Sequence, residues 1–311
     1  MPRVGIVGVG LVGRAWANVF ARAGWEVALY DAHAATREAA PDLIRDALHD
    51  LAGHGLVDDP DAAAARITAV DSLAAAVDGV ELVQESGPET VEAKTALFSE
   101  LDRAAPRTAI LASSSSAIVA SRFTEALEGR DRCLIAHPVN PPHVVPIVEL
   151  CGAPWTSQDV VGRAREIYDS VGQVTIEVKK EVDGFILNRL QAVLLSEALR
   201  LVRDGYCSSK DLDKTIAHGL GLRWSFMGPF ETIELNAPGG IADYCSRFGE
   251  SFYGLSSVEV TPELWSREGV EELVADWGSA LSPEEIQRKS RWRDERLAAL
   301  VAHKRNQNSY E

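Results

Sequence analysis

Basic residues are in short supply in this 311-residue chain, where 31 Lys and Arg stand against 46 Asp and Glu, a formal net charge of −15. An acidic surface repels polyanions, which argues against a broad nucleic-acid interface or an anionic-membrane partner. No apolar run approaches the ~20 residues that a membrane-spanning helix needs. Cysteine is scarce too. Cys133, Cys151, Cys207 and Cys245 lie far apart without a CxxC pair, so the pattern of neither a disulfide framework nor a zinc site is present, and buried reduced thiols are expected. The opening residues, Met1-Pro2-Arg3 before Val4-Gly5-Ile6-Val7-Gly8, lack the charged, long apolar and cleavage segments of a secretory leader. A cytoplasmic protein that holds no metal is the expectation. What is present is ordinary globular composition, 46% hydrophobic and 25% charged over a length that one core seldom organises, so two domains are expected.

The chain begins with a change of period. Val4-Gly5-Ile6-Val7 is a short apolar run, as expected of a strand buried on both faces of a parallel sheet. A glycine cluster interrupts it, a helical period follows through Ala15, Trp16, Val19, Phe20 and Ala23, and Val27-Ala28-Leu29-Tyr30 is the next strand. Further strands are expected at Ile67–Val70, Leu82–Glu85, Thr108–Ala112, Cys133–Ala136, Val148–Leu150 and Val174–Val178, separated by helical or polar segments that include a helix over Ala35–Ala52. Alternation of this kind predicts a doubly wound α/β sheet with right-handed crossovers. After Lys179-Lys180 strand signals almost vanish. Helices are expected over Gly184–Val202, from Asp211 with Ser208 or Ser209 as cap, and from Ser282, whose Glu285 completes a capping box, toward Ala302. The fold class is therefore α/β, with an N-terminal Rossmann-like domain over 1–183 and an all-helical C-terminal domain over 184–311. Residues 306–311 read as a frayed end.

Gly8-x-Gly10-x-x-Gly13 sits between a strand and a helix, and Asp31 closes the second strand close to the ~20 residues downstream that a dinucleotide fingerprint asks for. Gly8 allows the tight turn, Gly10 lets backbone approach a pyrophosphate, and Gly13 permits close helix–strand packing. Leu11 and Val12 open the helix, whose unpaired N–H groups suit phosphate. Asp31 would accept hydrogen bonds from the ribose hydroxyls and repel a 2′-phosphate. NAD is therefore expected over NADP, with Arg37 nearby pulling the other way.

His137 begins the stretch His137-Pro138-Val139-Asn140-Pro141-Pro142 at the end of an expected strand, where open α/β sheets collect ligands. A lone histidine is more often structural than catalytic. Asn140 lies close by, and Glu149 is bracketed by the apolar Ile147, Val148 and Leu150. A carboxylate in such a strand needs a partner, because burying an isolated charge is costly. Pairing with His137 would satisfy it and fix the imidazole tautomer for proton transfer.

Taken with Ser113-Ser114-Ser115-Ser116, Glu181 to Leu190, Gly219 to Trp224, Glu231-Thr232, Leu235-Asn236 and Trp292 to Glu295, these stretches give a sequence that resembles the L-3-hydroxyacyl-CoA dehydrogenase superfamily over essentially its full length. It is most similar to the branch of lambda-crystallin and L-gulonate 3-dehydrogenase. The resemblance implies hydride transfer to NAD, with His137 taking the hydroxyl proton, Glu149 orienting it, and Ser116 and Asn188 hydrogen-bonding the reacting oxygen. It implies that Asn140 positions the histidine, the nicotinamide or the substrate, that Glu89 and Lys94 lie near the cofactor, and that the protein is a homodimer. Pro138-Val139 stand where acyl-CoA members more often carry two aromatics, which turns the expectation toward a small free hydroxy acid, L-gulonate first. A 3-hydroxyacyl-CoA, carnitine, a diketone or a non-enzymatic crystallin role are the alternatives. Arg223, beside Trp224 in a glycine-rich approach, is expected to hold the substrate carboxylate. The helical domain has too few residues to cover its own apolar faces, so it is expected to form the dimer interface.

Overall fold

The computed structural model describes residues 1–256, 265–278 and 281–307; the C-terminal 308–311 of the expected frayed end lie outside the described residues. Eight strands, β1 Arg3–Val7, β2 Glu26–Tyr30, β3 Ile67–Ala69, β4 Leu82–Glu85, β5 Ile110–Ser113, β6 Cys133–Pro138, β7 Ile147–Gly152 and β8 Val174–Glu177, form one sheet in the order β3-β2-β1-β4-β5-β6-β7-β8. The first six run parallel, and the chain reverses direction across the sheet between β1 and β4. The central strands are mainly apolar because helices cover both faces. On one face Trp16, Phe20, Trp25 and Tyr168 stack in tilted and edge-on pairs over Leu134, Ala136, Val148 and Leu150. On the other, Phe98 packs against Phe123 over Leu111, Cys133, Ile135 and Cys151.

One departure from continuous winding matters for the site. β7 pairs antiparallel with β6, and β8 then follows β7 in parallel. The link 139–146 explains it, since it is shorter than the dozen or more residues that a parallel crossover requires. Two strands joined by so short a link face each other residue by residue.

By internal contacts the chain divides into Met1–Asn188 with the segment from Lys289 onward, and Arg189–Arg288. A single cut after 183 leaves that last segment in the second domain. It returns to the first because Ala298, only 3% exposed, packs into the first unit's core with Leu297, Val301 and Ala302 beside it. The helix Pro283–Arg305 starts as its sequence predicts. Glu285 N–H donates to Ser282 Oγ at 3.2 Å and Ser282 N–H to Glu285 Oε2 at 2.8 Å. Among the described residues the second unit is entirely helical, built on Leu187–Arg203 (from Arg189), Ser209–Thr215, Pro229–Glu234, Gly240–Ser256 and Arg267–Trp277. No helix among the described residues is long and apolar enough to cross a membrane.

Candidate active site

β1 ends in a turn that only glycine can make. Gly8 has φ +88°, and a Cβ there would lie 2.7 Å from the Ser86 carbonyl on the neighbouring strand's exit. A Cβ on Gly13 would lie 1.9 Å from the Gly8 carbonyl oxygen, so helix Leu11–Arg22 seats against the turn only without a side chain. Gly10 differs, because a Cβ there would meet nothing within 4 Å. Open space above a glycine that nothing in the protein fills is what a close-approaching pyrophosphate requires. Gly10 caps the helix without a side-chain hydrogen bond, the first turn has no acidic residue, and Leu11 is 81% exposed, leaving N–H groups for an anion. Asp31, one residue past β2, receives Val9 N–H on Oδ2 and His33 N–H on Oδ1, each at 2.9 Å. Its carboxylate is thereby fixed beside the glycine turn with lone pairs to spare for a ribose diol. These residues fit a dinucleotide.

The β6–β7 register sets His137 directly opposite Glu149. Both continue the inward stripe of Cys133, Ile135 and Cys151, so side-chain alternation delivers imidazole and carboxylate to the same buried face. His137 Nδ1 lies 2.7 Å from Glu149 Oε2, with both side chains at most 5% exposed. The second carboxylate oxygen is engaged as well. Glu149 Oε1 accepts the backbone N–H groups of Ile186 at 2.9 Å and Leu187 at 3.0 Å, at the start of helix Leu187–Arg203. A carboxylate accepts only, so Nδ1 carries the proton in this pair and Nε2 is left with a lone pair, the tautomer of a general base. Gly184 and Phe185, both at positive φ (76° and 50°), turn those N–H groups inward. Phe185 is fully buried with its ring 5.2 Å from the imidazole, and the packing outweighs roughly 1–2 kcal/mol of backbone strain.

A second carboxylate organises the serine turn after β5. Glu89 Oε1 accepts Ser115 Oγ–H at 2.7 Å, Ser116 N–H at 2.6 Å and Ala117 N–H at 2.9 Å. Burial raises its pKa, but these bonds, with Lys94 nearby, outweigh that and hold it below the usual carboxylate range. Asn188 Nδ2 donates to the Ser116 carbonyl at 2.8 Å, so the structure joins Ser116 and Asn188 as neighbours. Lys94 is buried and bonded to both oxygens of Glu85, at 3.1 and 2.9 Å. Glu85 also accepts Gly87 N–H at 2.6 Å and Ser113 Oγ–H at 2.5 Å, a hub absent from the expected site residues although its signal, an acid inside an apolar strand, is the one that singles out Glu149. Asn140 is exposed on the β6–β7 link. Arg223 lies in the second unit, on the short helix Gly221–Trp224. Burial pushes the thiols of Cys133 and Cys151 up to about 12, so neither offers a thiolate near neutrality.

Comparison with known proteins gives the family and the fold. Residues 3–182 match the NAD binding domain of 3-hydroxyacyl-CoA dehydrogenase, and residues 184–269 match the C-terminal domain of the same family. Lambda-crystallin of Oryctolagus cuniculus is 39% identical over 306 residues, spanning 96% of this chain and 95% of its own. L-carnitine dehydrogenase of Oceanobacillus iheyensis is 34% identical over 308 residues, 97% of each chain. Among solved structures, the 5-dehydrogenase of 5-formyl-3-hydroxy-2-methylpyridine 4-carboxylic acid, an NAD+-dependent dismutase, superposes with a TM-score of 0.85 at 25% identity, covering 99% of this chain and 100% of that one. The 3-hydroxybutyryl-CoA dehydrogenase of Escherichia coli K12 gives 0.66 at 27% identity, over 81% of this chain and 53% of that one.

Proposed function

The chain belongs to the 3-hydroxyacyl-CoA dehydrogenase family of NAD-dependent oxidoreductases acting on CH–OH groups, and on that premise we propose that it oxidises the 3-hydroxyl of a small free hydroxy acid, with L-gulonate as the preferred substrate. The observation that carries the chemistry is the 2.7 Å contact of His137 Nδ1 with a Glu149 whose other oxygen is held by backbone. With Nδ1–H committed to Glu149, Nε2 takes the hydroxyl proton as hydride leaves the carbinol carbon, and Glu149 stabilises the imidazolium that forms. Bound at the glycine turn and Asp31, NAD supplies the hydride acceptor. Ser116 and Asn188, brought together by the serine turn, hydrogen-bond the substrate oxygen while its C–O bond gains double-bond character. Asn140 helps place substrate and nicotinamide, Glu89 and Lys94 shape the cofactor side of the serine turn, and Arg223 grips the carboxylate. The products are a 3-keto acid, reduced cofactor and the proton that His137 returns to water.

L-carnitine and L-gulonate are both 3-hydroxy carboxylates, and relatives sharing a third or more of this sequence include a protein named for the former. That favours a free carboxylate over a thioester. The experiment is a kcat/KM comparison of L-gulonate, L-carnitine, 3-hydroxybutyrate and, in the reverse direction, acetoacetyl-CoA, read by NADH absorbance. Turnover of acetoacetyl-CoA well above all free acids overturns the substrate class, and L-carnitine ahead of L-gulonate overturns the preferred substrate. The helical unit leaves Leu190, Val193, Phe226, Phe230 and Tyr253 exposed, which supports a homodimer formed through it; a monomeric mass in light scattering refutes the dimer.

A further inference from the structure

The adenosine end of the cofactor site holds an arginine with no part in the scheme above. Arg37 lies in the first turns of helix Ala34–Gly53, and its Nη1 donates to the backbone carbonyl of Asp31 at 2.9 Å. Its Nη2 donates to Asp71 Oδ1 at 3.2 Å. The two partners differ sharply in exposure, 14% for the Arg37 side chain and 98% for Asp71. A guanidinium held against the very residue whose carboxylate suits the ribose diol is the group that a 2′-phosphate would need, since its planar fork matches phosphate oxygens. Two acids oppose that use. Asp31 places negative charge where a 2′-phosphate would come, and Asp71 occupies one arm of the fork. His33 adds a third polar group, its Nδ1 3.4 Å from Asp31 Oδ1.

We propose that Arg37 is a latent 2′-phosphate ligand and that Asp71, by holding its guanidinium, acts with Asp31 as a second determinant of the preference for NAD over NADP. The roles divide unequally. Asp31 repels a phosphate directly, so its removal dominates. Asp71 is solvent-exposed, and exposed ion pairs are worth little, so releasing Arg37 from it changes affinity by only about 3-fold at low salt.

The test is a binding cycle rather than a turnover assay. NADPH and NADH are titrated by cofactor fluorescence into Asp31→Ser, Asp31→Ser/Asp71→Asn and Asp31→Ser/Asp71→Asn/Arg37→Gln, with adenosine 2′,5′-bisphosphate and 5′-AMP as competing probes that carry no nicotinamide. We expect measurable NADPH binding in the first variant, a further tightening of about 3-fold relative to NADH in the second that fades in high salt, and loss of that gain in the third. The bisphosphate should follow NADPH and 5′-AMP should follow NADH. Equal NADPH affinity with Arg37 and with Gln at that position overturns the latent-ligand role, and an NADPH affinity indifferent to Asp71→Asn overturns the second determinant. Because Asp31 itself belongs to the site and holds Val9 N–H, NADH affinity is expected to fall in all three variants. Folding is certified by circular dichroism and thermal melting, the comparison is the NADPH-to-NADH affinity ratio, and Asp31→Asn carries the same cycle should Asp31→Ser fail to fold.

Discussion

Replacing Glu149 by Gln preserves shape and removes charge, and the surroundings of this side chain leave the amide no neutral choice. Three donors converge on the carboxylate: His137 Nδ1–H on Oε2, and the Ile186 and Leu187 N–H groups on Oε1. If the amide oxygen keeps the two backbone donors, its NH2 must face Nδ1. Nδ1 then has to accept, the proton moves to Nε2, and the imidazole can no longer take a proton from substrate. If the amide flips, its oxygen keeps the productive tautomer, but its NH2 confronts two N–H groups in a buried site, at about 1–3 kcal/mol for each donor left unsatisfied. The first arrangement is therefore favoured by roughly 2–6 kcal/mol, and the enzyme folds around the wrong tautomer. Loss of charge assistance from three hydrogen bonds costs about 3 kcal/mol of stability. The wrong tautomer costs on the order of 10⁴ in kcat, the size seen when an Asp–His pair is converted to Asn–His in a catalytic triad. Affinity for NADH should stay within about 3-fold, because neither Glu149 oxygen bonds to the glycine turn. Steady-state kinetics, NADH fluorescence titration and thermal melting of the variant check all three. Retention of more than a tenth of wild-type kcat in a folded Glu149→Gln enzyme refutes the tautomer argument.

The other expected outcomes separate space kept for ligand from space filled by protein, and charge that serves substrate from charge that serves the fold. Gly10→Ala should keep its stability within about 1 kcal/mol, the cost of a poorer N-cap, yet weaken NADH binding at least 10-fold, since only the cofactor needs the room above Gly10. Gly13→Ala should lose about 3 kcal/mol in urea denaturation, because the new methyl meets the Gly8 carbonyl oxygen at 1.9 Å and neither backbone can yield freely. Arg223→Met should raise KM for a hydroxy acid at least 10-fold with a small change in NADH affinity; unchanged kinetics remove the carboxylate role. His143, pushed down to about 4 by burial with the Arg22 charge adding to it, should make the protein acid-labile. Unfolded, an imidazole titrates near 6.5, so the unfolded chain binds the extra proton as pH falls from ~6.5 toward ~4 and stability drops by up to about 3 kcal/mol across that window. In His143→Gln the fall in urea midpoint over the same window should shrink; an unaltered slope refutes the assignment.

How much of this was legible in the sequence depends on whether a feature advertises itself in one segment. All eight strands are short, mainly apolar runs that need no partner to be recognised, and the glycine turn with Asp31 is local as well. The pairing of His137 with Glu149 was legible because a carboxylate among valine, isoleucine and leucine demands a partner, though only the antiparallel β6–β7 register shows how it is met. Strand–helix alternation alone predicts continuous parallel winding, and the short 139–146 link was the sign against it. Features built from backbone donors were not legible at all. Nothing in Ile186 or Leu187 as residues says that their N–H groups bind Glu149, because every non-proline residue has the same donor. The return of the chain to the first unit after Lys289 was equally hidden. It turns on a stripe of small and medium apolar residues, Leu297, Ala298, Val301 and Ala302, which could have served any partner helix.

The use of carboxylates as junctions follows from the problem the fold has to solve. The candidate catalytic groups come from the β6 end, the turn after β5, and the helix that begins at Leu187, segments far apart in the chain. A hydrophobic contact could bring them near one another but would not fix them to the tenths of an ångström that proton and hydride transfer need. A carboxylate with two oxygens can accept from two segments at once, and it is tolerated in the interior only when its lone pairs are met, so the penalty for leaving it unpaired enforces the geometry. Glu149 ties the imidazole to the start of the Asn188 helix. Glu89 ties the helix-leading turn of Thr90 to the serine turn, and Asn188 then closes the circuit on the Ser116 carbonyl. Asn188 is thereby held from both sides by acids that do not touch it. Loosening either acid should displace Asn188 from the Ser116 carbonyl, and for that reason Glu149 cannot be treated as an accessory of the histidine alone.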